Sequence, residues 1–245
     1  MRLAIMQPYF FPYIGYWQLL NAADRFVIYD DVNFIKQGWI NRNRLLLGGE
    51  PSYITVPLDG ASPNKRICDI AVQRSPHWRR KMLASIEQGY RKSPCFAEIF
   101  PEVDSLIRFE MNNLADFLAH QLVKMAKLLG IDTEIIVTSG DYQNCELSGQ
   151  ERVLDICGRE GATSYINLPG GQKLYDPESF KAANLDLHFL STRASPYQQR
   201  GADFVPNLSV IDALMEVGAA GVRSRLEEYD LLAADELLPR TEAAG

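Results

Sequence analysis

Two adjacent carboxylates, Asp30 and Asp31, stand at the head of the stretch "YDDVNFIKQGWINRNRL". Lys36, Asn41, Arg42 and Asn43 follow within about a dozen residues. A carboxylate can take the proton of an attacking amine or hydroxyl. The cations suit a phosphate or carboxylate, and the amides can read sugar hydroxyls. Together they would suit an anionic, hydroxylated substrate. The competing interpretation is an Asp–Arg pair in an ordinary loop, where Asp and Asn are common for turn reasons alone.

Three further clusters stand out. "QPYFFPYIGYW" carries Gln7, Tyr9, Tyr13, Gly15 and Tyr16. The tyrosines can stack on a ring and offer hydroxyls, and Gly15 would let a phosphate approach a helix start. The alternative is that the aromatics fill a sheet–helix interface, with Phe11 and Trp17 the first candidates for core. "SYINLPGGQK" presents Asn167 with Gly170 and Gly171, whose amides could face an anion or simply make a tight turn. "SPYQQR" places Tyr197 and Gln199 in a loop ahead of a helix in which Asp212 suits the first turn. No nucleophile elbow, phosphate-binding P-loop, complete G-x-G-x-x-G or HExxH occurs.

The elements that must position these groups follow from apolar periodicity. "RLAIM" and "RFVIYDD" read as strands joined by a helix over 13–23, a βαβ unit that implies a parallel pair. "GEPSYITVPL" and "KRICDIAVQ" read as two more strands, a hairpin insertion near 51–73. Residues 76–90 and 110–129 read as helices, the second stopped by Gly130. "SPCFAEIFPEVDSLI" reads as one or two short helices broken at Pro101. "TEIIVTS", "TSYIN" and "LDLHFL" read as strands. They alternate with helices in "SGQERVLDICGREG", where Ser148 and Glu151 form a capping box, and in "DPESFKAAN". "NLSVIDALMEVG" is a last helix, with "AAGVRSRLEEY" a candidate extension. The expected fold is α/β, a mostly parallel sheet flanked by helices, as a single domain over 1–235 with a flexible tail over 236–245.

Composition narrows the function classes. The chain has 245 residues, 47% hydrophobic and 23% charged, enough for a sizeable core. A net charge of −6 without a long basic block makes DNA a poor partner. No apolar run reaches the roughly 20 residues needed to span a bilayer, and the start lacks signal-peptide features, so a cytoplasmic protein is expected. The four cysteines and three histidines lack metal-ligand spacing, so neither a metal site nor a disulfide framework is expected, and the thiols read as buried and free.

The opening "strand–loop–YIGY–helix" resembles the H-x-G-H start of nucleotidylyltransferases (HUP-type folds), with Tyr13 and Tyr16 in the histidine places around Gly15. Tyrosine can hydrogen-bond there but brings no positive charge. Over roughly residues 1–220, the blocks "MQPYFFPYIGYWQLLNAADRFVIYDDVNFIKQGWINRNRL", "YITVPL", "GATSYINLPGGQKLYDPESF" and "FVPNLSVIDALMEVG" together resemble the WbqC-like family. Met6 stands where many look-alikes carry histidine. The resemblance implies a place in bacterial surface-polysaccharide (O-antigen) biosynthesis, and a transferase attaching glycine or another acyl group to an amino sugar. Asp30 or Asp31 would then be the base. Gln7, Asn41 and Asn43 would read sugar hydroxyls, while Lys36 and Arg42 would hold the diphosphate of a nucleotide sugar. The carrier of the sugar could also be a lipid-linked glycan. The donor stays open among aminoacyl-tRNA, an acyl thioester and an adenylate made from ATP. Two alternatives remain beside it: a noncatalytic nucleotide-sugar-binding or assembly protein, and an ATP-using nucleotidyltransferase-like enzyme. Oligomeric state is left open.

Overall fold

The computed structural model describes residues 1–201 and 203–234. The expected tail over 236–245 lies outside the described residues. Six strands form the main sheet: β1 (Arg2–Met6), β2 (Arg25–Ile28), β7 (Glu134–Ile136), β8 (Ser164–Asn167), β9 (Asp186–Thr192) and β10 (Tyr229–Ala233). Their spatial order is β10-β9-β8-β1-β2-β7. All neighbours run parallel except β10, which pairs antiparallel with β9. Read across the sheet from β7 to β10, this is the doubly wound arrangement, whose strand order reverses between β1 and β8. The crevice beyond the carboxyl ends of those two strands is where such sheets bind ligands.

The sheet is covered on both faces. Strand side chains alternate, so Leu3, Ile5 and Val27 join one buried cluster while Ala4, Phe26 and Ile28 join the other. The first cluster is closed by α5 (Gly149–Arg159) and α6 (Pro177–Ala182) through Val153, Ile156 and Phe180. The second, larger cluster takes α1 (Ile14–Ala22), α2 (His77–Tyr90), α3 (Phe96–Arg108), α4 (Leu114–Leu129) and α7 (Val210–Arg223). Gly130 ends α4 in the left-handed conformation, its N–H donating to the Ala126 and Lys127 carbonyls, as a C-terminal glycine should.

Several local expectations change. "GEPSYITVPL" does form a strand, β4 (Glu50–Thr55), but its partner is β3 (Arg42–Leu47) in antiparallel register, Arg44 opposite Tyr53. The "KRICDIAVQ" segment contributes a short 3-10 turn (Ile67–Asp69) and the two-residue β6 (Ala71–Val72), paired with β5 (Leu58–Asp59). Helix α3 runs unbroken through Pro101, an exposed position. Gly218, at φ +70, interrupts α7. Ser148 occupies the N-cap of α5, yet its side chain makes no capping bond.

The aromatic opening turn is mostly core. Phe10, Phe11, Tyr16 and Trp17 are fully buried. Phe11 sits at φ +42, a region that non-glycine residues seldom adopt. It is held there from three sides. Its N–H donates to Gln121 Oε1 of α4 at 2.7 Å, and its carbonyl accepts from Asn43 Nδ2 of β3 and Ser209 Oγ, both at 2.8 Å. Asn43 Nδ2 also donates to the Phe10 carbonyl at 3.0 Å. Asn43→Ala leaves the Phe10 carbonyl unpaired and should destabilise the fold by about 1–3 kcal/mol. Urea unfolding checks this, with an unchanged midpoint as the contrary result.

Candidate functional site

Asp30 and Asp31 follow β2 at the carboxyl edge of the sheet, and both are buried. They share the Ser139 hydroxyl and otherwise have different partners. Asp30 accepts from the Ser139 backbone N–H at 2.9 Å, Thr138 Oγ1 at 3.0 Å and Ser139 Oγ at 3.2 Å, all on Oδ1. Among the described residues Oδ2 has no partner. Asp31 forms an ion pair with Arg152, whose Nη2 donates to both carboxylate oxygens at 2.8 and 2.6 Å. The two side chains are 8% and 3% exposed. Arg152 Nε also donates to Asn144 Oδ1 at 2.9 Å, and its guanidinium lies 5.0 Å from the Tyr29 ring centroid. Ser139 Oγ donates to Asp31 as well. One hydroxyl proton thus stands between two carboxylates.

The surroundings pull the two acids apart. Desolvation dominates at Asp30 and raises its pKa, against the opposing hydrogen bonds from Ser139 and Thr138. Desolvation also acts on Asp31, but hydrogen bonds from Arg152 and Ser139 with the Arg152 charge together hold its carboxyl below the ordinary value. Neighbouring groups with diverging proton affinities are a pattern of acid–base sites.

Asp31 and Arg152 open into a cleft of about 510 Å³, lined also by Tyr29, Asn33, Arg66, Ser148, Gly149 and Tyr175. That size suits a small-molecule ligand. The first turn of α5 meets it, bringing N–H groups that no helical carbonyl can satisfy. Cys145, one of four free cysteines, is exposed on the rim rather than buried. Among the described residues no cluster of His, Cys, Asp or Glu is arranged to hold a metal.

A second opening, about 350 Å³, lies at the start of α1 and is lined by Tyr13, Gly15, Ser195, Tyr197, Phe204 and Asn207. Gly15 faces the Tyr13 ring, where an added Cβ would stand 2.5 Å from Cε2. The missing side chain is therefore filled by Tyr13 packing. Burial, with Tyr9 nearby, pushes the Tyr13 phenol up to about 12.

The remaining expected residues are spread more widely. Gln7 follows β1 at the carboxyl edge of the sheet, half-buried, and its carbonyl accepts from the Tyr16 hydroxyl at 3.0 Å. Tyr9 packs on Tyr16, ring centroids 5.5 Å apart. Tyr16, with no exposed surface, and Asn43, whose amide is committed to the opening turn, face away from either opening. Asn41 Nδ2 donates to the Val56 carbonyl. Lys36 is exposed, and Arg42 donates to the Gly38 and Gln37 carbonyls while stacking on Tyr53. Asn167 Nδ2 donates to the Tyr165 and Tyr175 hydroxyls. Gly171 is buried against Asn167, and its N–H donates to the Leu168 carbonyl; Gly170 is exposed. Tyr197 and Gln199 donate to Asp212, as does Tyr90, in a buried network apart from the aspartate pair.

Arg152, Ser139, Tyr29, Arg66 and Tyr175 escape the sequence reading. Arg152 lies 121 residues from Asp31 on an amphipathic helix, where an arginine reads as solvated surface. Tyr29, beside the two aspartates in "YDD", is the one with a local signal.

The pH dependence of stability distinguishes the two acids. Asp31, with its folded pKa depressed, contributes stability present above about pH 3.9 and lost as pH falls through its folded value. Asp30, with its pKa raised, contributes stability present below about pH 3.9 and lost as pH rises through its folded value. Urea midpoints between about pH 3 and pH 7 should therefore show Asp30→Asn gaining on wild type as pH rises. Asp31→Asn, which strands the buried Arg152 charge, should cost about 3–5 kcal/mol at neutral pH. Parallel pH profiles for the two variants would contradict the assignment.

The chain is 28% identical over 225 residues to the uncharacterized protein Rv1507c of Mycobacterium tuberculosis (strain ATCC 25618 / H37Rv), covering 89% of this chain and 94% of that protein. No solved structure matches significantly. The WbqC-like protein family profile matches residues 7–224, which take in both openings, the aspartate pair and its arginine, and the chain belongs to the WbqC-like protein family.

Proposed function

We propose that the protein is a transferase of bacterial surface-polysaccharide (O-antigen) assembly, attaching glycine or another acyl group to the amine of a sugar carried on a nucleoside diphosphate. The observation that carries this reading is the adjacent aspartate pair, with opposite shifts in proton affinity, of which Asp31 lines the 510 Å³ cleft and Asp30 is the buried residue next to it. In amide formation the sugar amine attacks the acyl carbon. A C–N bond forms, the bond from the acyl carbon to the donor's leaving group breaks, and the amine gives up a proton. Asp30, with Oδ2 free and a raised pKa, suits the proton acceptor. Asp31 suits orientation of Arg152. Arg66 and the first turn of α5 suit the diphosphate, since helix N-termini favour anions. Gln7 stands at the strand-order reversal, where an acceptor hydroxyl could be read.

The sheet order supports a likeness to nucleotidylyltransferase-type folds. The chemistry of that class has less support: Tyr16 is fully buried and Tyr13 packs over Gly15, so neither offers a charge to a transferring phosphoryl group. A second reading, a noncatalytic nucleotide-sugar binder, is favoured by one observation. Asp31 and Arg152 already satisfy each other, and Asp30 is only 4% exposed.

The test is incubation with uridine diphosphate glucosamine and, in turn, glycyl-tRNA, a glycyl thioester, or glycine with ATP, followed by mass spectrometry. A glycyl amide is expected with one donor, formed on the order of 100-fold more slowly by Asp30→Asn. Tight binding of the nucleotide sugar without product from any donor would replace the transferase with the binder.

A further inference from the structure

The outer face of the β3–β4 hairpin gathers cations and aromatic rings. Side chains alternate along both strands. Asn43, Leu45 and Ile54 turn inward and are buried, while Arg42, Arg44 and Tyr53 turn outward. Arg42 stacks on Tyr53 at 4.4 Å, Arg44 lies 5.7 Å from the Trp39 ring centre, and the Trp39 and Tyr53 rings stack at 6.4 Å. The turn before them projects Ile35, 53% exposed, beside the exposed Lys36, and Tyr53 itself is 54% exposed. The turn and hairpin are one surface, because Arg42 Nε donates to the Gly38 carbonyl and Gly38 packs against Ile35.

The charge on this face lacks a counterpart. Lys36, Arg42, Arg44, Lys65 and Arg66 make no ion pair among the described residues. Lys65 and Arg66 are tied to the same loop, the Lys65 carbonyl accepting from the Phe34 N–H and Arg66 bridging Asn33. Between Asn33 and Arg66 the acids are Glu50 and Asp59, in a chain whose net charge is −6. Arg44 Nε is buried with no acceptor.

We propose that this face docks the protein on an anionic membrane surface. Lys36, Arg42, Arg44 and Lys65, four cations without an ion pair among the described residues, match a layer of lipid phosphates, while Arg66 lines the cleft beside them, and each Lys or Arg near such a surface adds to the attraction. Trp39 and Tyr53 are amphipathic rings of the kind that settle at the headgroup level. Ile35 is the discriminating residue: an exposed aliphatic side chain beside a lysine inserts among acyl chains, and has no comparable use against a nucleic acid backbone. Attachment would be peripheral and reversible, since no helix among the described residues is long and apolar enough to cross a membrane. The face also borders the cleft, with Phe34 alone separating the cleft-lining Asn33 from Ile35. Docking would therefore bring the aspartate cleft to the membrane surface. The proposal does not depend on the reaction assigned to that cleft.

The test is flotation of the purified protein with vesicles of phosphatidylcholine alone and of phosphatidylcholine with phosphatidylglycerol. Binding is expected to the second and not the first, and to weaken as salt rises. The double variants Ile35→Ser/Tyr53→Ser and Lys36→Glu/Arg44→Gln should each weaken it on the order of tenfold. Their urea midpoints verify the fold, and Ile35→Ser alone, at an exposed turn, serves if a double variant unfolds. Absence of binding to anionic vesicles would overturn the proposal, as would binding that none of these variants weakens. Capture of a single-stranded RNA oligonucleotide without vesicle binding would also overturn it, and would assign the face to nucleic acid.

Discussion

The clamp on Phe11 is the constraint on which the rest of the molecule depends. β1 leaves the sheet at Met6 and α1 starts at Ile14, so the chain must turn within a few residues that include two prolines. It does so with Phe11 in a left-handed conformation, and that unfavourable backbone persists because the surroundings over-determine it. Gln121 of α4, Asn43 of β3 and Ser209 at the head of α7 each contribute a hydrogen bond to one residue. The Val210 N–H adds another to the Pro12 carbonyl. Three segments distant in sequence thus converge on the first turn. Its aromatic rings fill the space between them, Phe10 stacking on Phe117 and Tyr16 packing against Trp17 and Phe26. The hairpin that carries the cationic face is docked on the sheet domain through the same Asn43.

From that fixed frame the cleft acquires its electrostatics. Two carboxylates follow one strand, and among the described residues only one has a cation. Asp31 and Arg152 neutralise each other out of water, an arrangement that is tolerable because the guanidinium donates to both oxygens and to Asn144. Asp30 has hydrogen bonds but no cation, so burial tells against its charge. Chemical identity at adjacent positions therefore does not imply the same role. The difference is set by which neighbour each side chain meets across more than a hundred residues of chain.

Much of the architecture was legible in the sequence because short apolar runs and amphipathic periods are local signals. The βαβ opening, the α/β alternation, the long helix ended by Gly130 and the burial of Phe11 and Trp17 follow from such patterns. β3 escaped because "RNRLLL" alternates charge with amide and leucine, and reads as a loop until a partner strand is in view. Pro101 suggested a break, yet its exposed position lets α3 continue. At the site, the two aspartates could be singled out by type and place at a strand end. Arg152 and Ser139 could not, since both owe their roles to long-range folding. Tyr16 and Asn43 have residue types that suit a ligand, but their polar atoms are used internally. Type alone does not tell a pocket from a polar core contact.

The measurement that tests the central claim most directly is a crystal structure of the protein soaked with uridine diphosphate glucosamine. The account predicts density in the cleft of Tyr29, Asp31 and Tyr175, with the diphosphate against Arg66 and the first turn of α5 and the sugar amine toward Asp30. Density lodged instead in the opening beside α1, between Tyr13, Tyr197 and Asn207, would contradict it, because the aspartate pair would then have no substrate to serve.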